Sequence, residues 1–506
     1  REARKLGTGG TSHGHTTLDL SIGLKQGWDG IMQKIDRSIA LYTRLDHPNR
    51  VNYLKGLKIV CQAIIDYIKK HSEKAYELAA GCGDPEQKAL YLTVAKDCAK
   101  IAHDPPETYH QAIQWIQFAI MTDRIVGHGN GYGRLDLYLN DFFLRDTEKG
   151  ILTRQNAREY LAEMFLKVRG QHFSICGRLR DGSDATNEMS YVILESYDMV
   201  DDYNNLFLLW HPDIDPGIVD YACDVLARHG ASVPTFCNYD LMRDCELRSG
   251  VSPDDAWTVA VGGCQWFSIP GREYCDQDVN SIVLHDPLFR AIDRGIEKGP
   301  KDFEEFYQLF VEEFKRTTEA LRIFKDAQYE VLDKVWPEMA TSLNCHGPAE
   351  RGIDITGHRG VDYQFTSVNI LGIPNVADSM YAIKKLVFEE KAYTSRDVRK
   401  ACRENWKNSE IMRQRFLRQN KYGNDIDDVD NILVRITDTI ADVLDNTYNN
   451  RGQQYRASLF QFQGHTAVDS LPATPDGRLA TEPLAHGINP TAGRNTKGLM
   501  ATANSL

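Results

Sequence analysis

Val259-Ala-Val-Gly-Gly-Cys264-Gln-Trp-Phe-Ser-Ile-Pro-Gly271 is the stretch from which the fold is read. The apolar run from Trp257 to Val261 meets two glycines and then a cysteine. β-Branched residues directly before a glycine pair read as a buried strand entering a tight loop. That places one sulfur, Cys264, at a loop tip inside the protein. A thiol so held can serve as a nucleophile, a metal ligand, a radical carrier or plain filler. Working outward, amphipathic helical patterns at 154–169, 187–199, 217–228 and 253–257 alternate with extended runs at 207–210, 234–237 and 258–261. Strands and helices alternating at this spacing imply an α/β fold, with βα units around a largely parallel sheet or barrel.

Beyond that region the pattern is mostly helical. Residues 18–103 carry Leu20, Leu24, Trp28, Ile31 and Ile35 at three- and four-residue steps. Pro105-Pro106 precedes a helix expected over 108–121. A long helix or helix pair is expected over 303–335, helices over 395–417 and 427–450, and strands over 363–373 and 458–463. The helix after 373 presents Val376, Met380, Ile383 and Val387 on one face. The tail 472–495, rich in Pro, Gly, Thr and Asp, reads as a long ordered loop.

Composition narrows the function. The chain has 506 residues, 42% hydrophobic and 26% charged, with a net charge of −12. That is ordinary globular composition, and the acidic balance with no basic run argues against nucleic acid as a partner. No apolar stretch reaches the length of a membrane span. The 11 cysteines are odd in number and irregularly spaced, with no CxxC pair. Reduced thiols in a cytosolic or anaerobic setting fit better than zinc, iron–sulfur or a disulfide scaffold.

Each motif has a plain reading beside a chemical one. Gly127-x-Gly-x-Gly-x-Gly133 has dinucleotide-like spacing but follows a helix, so it reads as a tight loop ahead of a helix at Arg134. A GxSxG elbow is absent. Cys264 with His285 or His346 would suit a thiol hydrolase, although no signature of that chemistry accompanies it. Asp201-Asp202 and the aspartates at 425–430 read as helix termini or solvated faces. Three polar, glycine-rich loops, at 262–278, 344–362 and 464–494, follow apolar runs. In a βα barrel such loops gather over one end of the sheet, where substrates bind.

Six segments, in order, carry a family likeness: Gly14-His-Thr-Thr-Leu-Asp19; Tyr132-Gly-Arg-Leu-Asp-Leu-Tyr138; Asp181-Gly-Ser-Asp-Ala-Thr-Asn-Glu-Met-Ser190; Val261-Gly-Gly-Cys264; Asn375-Val-Ala-Asp-Ser-Met-Tyr-Ala-Ile-Lys-Lys-Leu-Val-Phe388; and Ala473-Thr-Pro-Asp-Gly-Arg-Leu-Ala480. Together they resemble the glycyl radical enzymes, the group of pyruvate formate-lyase, the glycerol- and choline-type lyases and the arylacetate decarboxylases. The resemblance implies a ten-stranded α/β barrel of two antiparallel five-stranded halves, surrounded by helices and enclosing a Cys finger loop. It implies one such domain over 1–506, incomplete at both ends and without the C-terminal radical domain.

It further implies a mechanism. A backbone glycyl radical takes a hydrogen atom from Cys264, and the thiyl radical then abstracts hydrogen from the substrate. The radical glycine would be installed by a radical-SAM activase, with no bound cofactor and no metal, in a cytoplasmic homodimer. The family's Arg-Val-x-Gly-Tyr radical motif is absent from this sequence. Two further departures concern the site. Dehydratases and decarboxylases of the family place Glu two residues after the Cys, where this chain has Trp266. Pyruvate formate-lyase has an adjacent cysteine, where this chain has Gln265. The expected pocket residues are Gln265, Trp266, Arg272, Asp278 and His346, with Glu273 a further polar group. Trp266 points to an apolar or aromatic substrate or to a purely structural indole, and Arg272, Glu273 and Asp278 would each equally suit a loop salt bridge. The leading expectation is a glycyl radical lyase, dehydratase or decarboxylase acting on a small organic molecule. The alternatives are a formate C-acetyltransferase-type enzyme, a Cys/His thiol hydrolase, and a radical-free binding or scaffold protein on the same fold.

Overall fold

Pro105 and Pro106 cannot continue a helix, and the Thr108 side chain accepts the Gln111 N–H, so the helix Tyr109–Arg124 starts where its first orphan donor is satisfied. The same device recurs at Asn187, whose side chain caps the helix Glu188–Asp198 while Ser190 returns a bond to the Asn187 backbone. The computed structural model describes residues 15–125, 130–200, 205–229, 233–263, 266–277, 279–459, 471–480 and 482–506. The expectations placed on Cys264, Gln265, Asp278, Asp201-Asp202 and 127–129 lie outside them.

The chain divides into two units, one of Gly14–Cys275 and Tyr329–Gln364, the other built mainly from Asp276–Gln328 and Phe365–Leu506. In the first, the strands β1 (Gly131–Arg134), β2 (His172–Cys176), β3 (Asn205–Trp210) and β4 (Thr235–Asn238) lie side by side in that order, all parallel. Helices connect them, as βα units require. Next come β5 (Ala260–Gly262) and β6 (Trp266–Ser268), an antiparallel pair, then β7 (Glu273–Cys275). The core of this unit is one apolar cluster in which Trp28 and Trp115 stack at 5.1 Å.

In the second unit β8 (Ser281–Val283) and β10 (Tyr455–Ser458) flank β9 (Tyr363–Leu371), both parallel to it. A second apolar cluster, from Ile282 to Ala473, fills this unit. The helix Ile373–Ile383 buries Val376, Met380 and Ile383 and runs on as a π-helical turn, Lys384–Glu389. Its polar residues reach the 474–478 turn. Asn375 Nδ2 donates to Asp476 at 3.1 Å, and the Asp476 N–H donates to Ser379 Oγ at 3.0 Å. Two segments about a hundred residues apart in the sequence thus form one buried joint. Burial alone would raise the Asp476 carboxyl, but the bonds from Thr474 and Asn375 hold it below its ordinary range.

The α/β class agrees with expectation, but several boundaries differ. Gly131–Arg134 is a buried strand rather than loop. β2 carried no strand pattern, because His172 and Ser174 are polar yet buried in a central strand. The long helix or helix pair expected over 303–335 is a pair, Phe303–Tyr329 and Leu332–Val335. The one over 395–417 breaks into Ser395–Arg403 and Glu410–Leu417, where Asn405, Trp406 and Asn408 take positive φ. The helix expected to 450 stops at Asp445, and the last strand starts at Tyr455 rather than 458.

Two distant motifs also meet in the first unit. Asp136, just after β1, accepts from Ser190 Oγ at 2.6 Å and from the Cys176 N–H at 2.8 Å. Its side chain is wholly buried, and burial pushes its carboxyl up against those bonds. Ser190→Ala is expected to cost about 1–3 kcal/mol, the price of leaving a buried acceptor short of a partner. A denaturant midpoint unchanged from the wild type would show that the bond contributes nothing.

Candidate active site

The two strands that lead into and out of Cys264 are held by several segments of the first unit. β5 and β6 pair in the register Ala260↔Ser268, Val261↔Phe267 and Gly262↔Trp266. From β2, Ser174 Oγ accepts the Val261 N–H at 3.0 Å. The extended segment 15–19 threads between this hairpin and β1. Gly131 donates to the Thr16 carbonyl and accepts from Leu18, each at 2.9 Å. The Gly271 N–H donates to the Thr17 carbonyl at 2.7 Å, and Ser268 Oγ donates to Thr17 Oγ1 at 2.8 Å.

This packing explains the glycine pair before the cysteine. A Cβ on Gly262 would lie 2.8 Å from Thr17 Oγ1 and 3.0 Å from the Gly131 Cα. The approach is backbone to backbone, so neither side can yield cheaply. Gly263 has φ +56°, and a Cβ there would lie 2.5 Å from the His15 ring. Only glycine meets both demands. His15 in turn packs edge-on against His172, ring centres 5.7 Å apart.

Segment 15–19 is anchored by a buried carboxylate. Asn130 Oδ1 accepts the Thr16 N–H at 2.9 Å. Asp123 accepts from Asn130 Nδ2 (2.8 Å), Tyr132 Oη (2.9 Å) and Thr341 Oγ1 (2.7 Å). Burial still pushes Asp123 up to about 6. A carboxyl whose folded value exceeds its unfolded one binds protons more tightly when folded. Its stabilising contribution is full below about pH 4 and is lost as pH rises through about 6, a total of roughly 3 kcal/mol. Asp123→Asn cannot titrate. The stability of the wild type relative to Asp123→Asn is therefore expected to fall between pH 4 and pH 7. Parallel unfolding curves across that range would contradict the assignment.

The remaining expected site residues fall as follows. Trp266 is partly buried, opposite Gly262 at the far end of the hairpin. Arg272 is engaged by carboxylates, with Nη1 2.6 Å from Asp362 and Nε 3.3 Å from Asp255. His346 Nε2 is 2.8 Å from Asp19 Oδ2. Burial raises the Asp19 carboxyl, but bonds from His346 and the Ser21 N–H overcome this and keep it low. Arg272 and His346 both line a cleft at the base of the hairpin, not its tip. Glu273 is buried and accepts the Ile269 N–H at 3.1 Å. His285 lies in the other unit, where burial and Arg478 push its ring down to about 3, so it is neutral. The residues that hold the hairpin, His15, Thr17, Gly131 and Ser174, come from three separate segments. Only the Gly-His-Thr-Thr-Leu-Asp likeness signalled any of them.

Among the described residues no group of three or more His, Cys, Asp or Glu is spaced to hold a metal ion, and no helix is long and apolar enough to cross a membrane.

The pyruvate formate lyase-like family matches residues 8–468. A probable dehydratase of Escherichia coli (strain K12) is 28% identical over 97% of this chain and 67% of its own length. The trans-4-hydroxy-L-proline dehydratase of Clostridioides difficile is 27% identical, with the same coverage of both chains. The isethionate sulfite-lyase of Bilophila wadsworthia is 26% identical, over 95% of this chain and 63% of its own. The chain thus spans about two thirds of the length of these relatives. Among solved structures, one on 1,2-propanediol dehydration in Roseburia inulinivorans superposes with a TM-score of 0.91 at 26% identity, covering 98% of this chain and 68% of that one. The B12-independent glycerol dehydratase of Clostridium butyricum, at 24% identity and a TM-score of 0.91, covers 98% of this chain and 67% of that one, and it bears on the fold alone.

Proposed function

The chain belongs to the pyruvate formate lyase-like family, and from that premise we propose that Cys264 is the thiyl carrier of a glycyl radical lyase. It is an enzyme of the dehydratase and lyase kind acting on a small organic molecule. The observation that carries the reading is the hairpin. Gly262 and Gly263 are required by contacts with Gly131, Thr17 and His15, and the next residue in the chain is the cysteine. Such packing fixes the chain that leads into the cysteine, and a reactive sulfur radical needs a fixed site screened from water.

In this mechanism Cys264 would give up its thiol hydrogen atom and keep one unpaired electron on sulfur. The sulfur then takes a hydrogen atom from a substrate carbon, a neighbouring bond to carbon breaks, and the hydrogen returns to the product. The glycyl radical would supply the initiating electron hole, and a radical-SAM activase would install it. A ten-stranded barrel over 1–506 and a homodimer complete the proposal. Arg272 and His346, fixed by their carboxylate partners, would hold the chain that leaves β6. Gln265, Trp266 and Asp278 would face the substrate.

Trp266 sets the expected substrate class. Where relatives carry Glu, an indole offers apolar area and no proton, so a substrate with an apolar or aromatic part is favoured over a polyol. Trp266→Ala is expected to raise KM about tenfold with a smaller change in kcat, because uniform binding area is lost. An anaerobic screen of the activated enzyme with arylacetates, hydroxylated amino acids, sulfonates and diols tests the class. Turnover of diols alone, with no effect of Trp266→Ala on KM, would overturn it.

A further inference from the structure

At the base of the hairpin, the cleft that Arg272 and His346 share measures about 720 Å³. That is within the range of small-molecule sites. All of its lining belongs to one unit of the chain. Trp257 and Thr258 line it just before β5 and Pro270 just after β6. Gly262 and Gly263 lie at the other end of the hairpin. β1 spans the difference. Its first residue, Gly131, meets Gly262, while Arg134, its last, donates through Nη1 to the Trp257 carbonyl at 3.2 Å.

Some cations of this cleft are paired and others are not. Arg178 is neutralised by Asp240 and Asp213, Arg272 by Asp362 and Asp255, and Arg145 by Asp146. Asp19 is committed to His346. Lys25 and Arg180 are exposed and, among the described residues, form no ion pair. Arg134, 5% exposed, binds the carbonyls of Arg178 and Trp257 through Nη1, while its Nε and Nη2 make no hydrogen bond. That edge of the guanidinium is the one that grips carboxylates elsewhere in this protein, at Arg154–Glu195 and Arg178–Asp240. The adjacent carboxylate, Asp136, accepts from Cys176, Ser190 and Leu137 and acts on Arg134 through space without a hydrogen bond to it. Against these three cations the cleft sets Asp141, which forms no ion pair among the described residues. Lys25, Arg180 and Arg134 are thus the cations of the cleft that no carboxylate grips, and a walled cleft concentrates their local field. Phe142 and Trp257 add aromatic surface to the wall.

We propose that this cleft is a binding site, separate from the cysteine loop, for a small metabolite bearing a carboxylate or phosphate group. Lys25 and Arg180 meet the oxyanion, and Arg134 beneath them supplies charge that no carboxylate of the protein neutralises through a hydrogen bond.

Calorimetric titration of the unactivated protein tests it. The probes are citrate and inorganic pyrophosphate, at an ionic strength of about 0.15 M kept constant with sodium chloride so that bulk screening stays fixed. At least one is expected to bind saturably with one site per chain. The variant Lys25→Glu/Arg180→Glu, at two exposed positions that hold nothing else in place, is expected to weaken that binding by at least tenfold. Citrate alone would assign the site to carboxylates, pyrophosphate alone to phosphates, and both to the shared oxyanion chemistry. No saturation by either probe, or a variant that binds as tightly as the wild type, would overturn the proposal. Because no radical is needed, a failure of the thiyl mechanism would leave this result unaffected.

Discussion

Cys264→Ser abolishes turnover in the expected result, by about 10⁴-fold or more, the scale on which removal of an essential covalent group registers. The substitution exchanges sulfur for oxygen with little change in volume, so the melting temperature should barely move. What changes is the bond. An S–H bond is weak enough to trade its hydrogen reversibly with carbon, and an alcohol O–H is not. The relay therefore stops at its first transfer. A thiol hydrolase would also lose activity on this substitution, so a second arm is required. A hydrolase needs no activase and tolerates air. The radical enzyme should be silent before anaerobic activation and should lose activity irreversibly on exposure to oxygen. Product formation within tenfold of the wild type by Cys264→Ser, or full activity in air without activation, would contradict the assignment.

Gly263→Ala should cost about a hundredfold in kcat, the penalty expected when a reacting group moves by about 1 Å. Two effects combine at this position. The residue sits at φ +56°, where an added Cβ carries strain of about 1–2 kcal/mol, and that Cβ would lie 2.5 Å from the His15 ring. Gly150 separates the two. It has φ +70°, but a Cβ there meets nothing within 4 Å. Gly150→Ala should lower stability by a similar strain and leave turnover unchanged. Gly263→Ala should lower both, because the hairpin must shift to clear His15. Equal behaviour of the two variants in kcat would mean that the contact with His15 does not position the loop.

The parts of this fold legible in the sequence are those set by local chemistry. β3 and β4 show as apolar runs between amphipathic helices, and Thr108 and Asn187 mark helix starts through the bonds that they make to the following turn. β2 was hidden because its polar residues are satisfied by partners distant in sequence. Ser174 bonds the backbone of Val261, and His172 lies near the Asn130 carbonyl. No window of sequence around 172–176 contains those partners. The glycines at 131 and 133 misled in the opposite direction. Glycine normally signals a turn, but Gly131 is in a strand because another backbone, at Gly262, approaches it closely. The break near 405–408 follows from three consecutive-region residues with positive φ that no helical periodicity excludes.

The candidate site divides along the same line. Cys264 stands out locally, since a strand, two glycines and a thiol are contiguous. Arg272 and His346 are 74 positions apart in the numbering, and their common cleft exists only after the chain from Asp19 to Ser21 folds against both. The ion pairs that occupy them, with Asp362, Asp255 and Asp19, are likewise non-local. Trp266 is legible from the sequence alone, two residues after the cysteine.

The most direct test of the central claim is anaerobic electron paramagnetic resonance of the holoenzyme after treatment with its activase, read alongside product formation. Wild type and Cys264→Ser should both show a glycyl doublet, because the radical is installed on glycine and not on sulfur, and only the wild type should form product. Activation that yields turnover with no doublet, or a doublet-bearing Cys264→Ser enzyme that turns over like the wild type, would contradict the account.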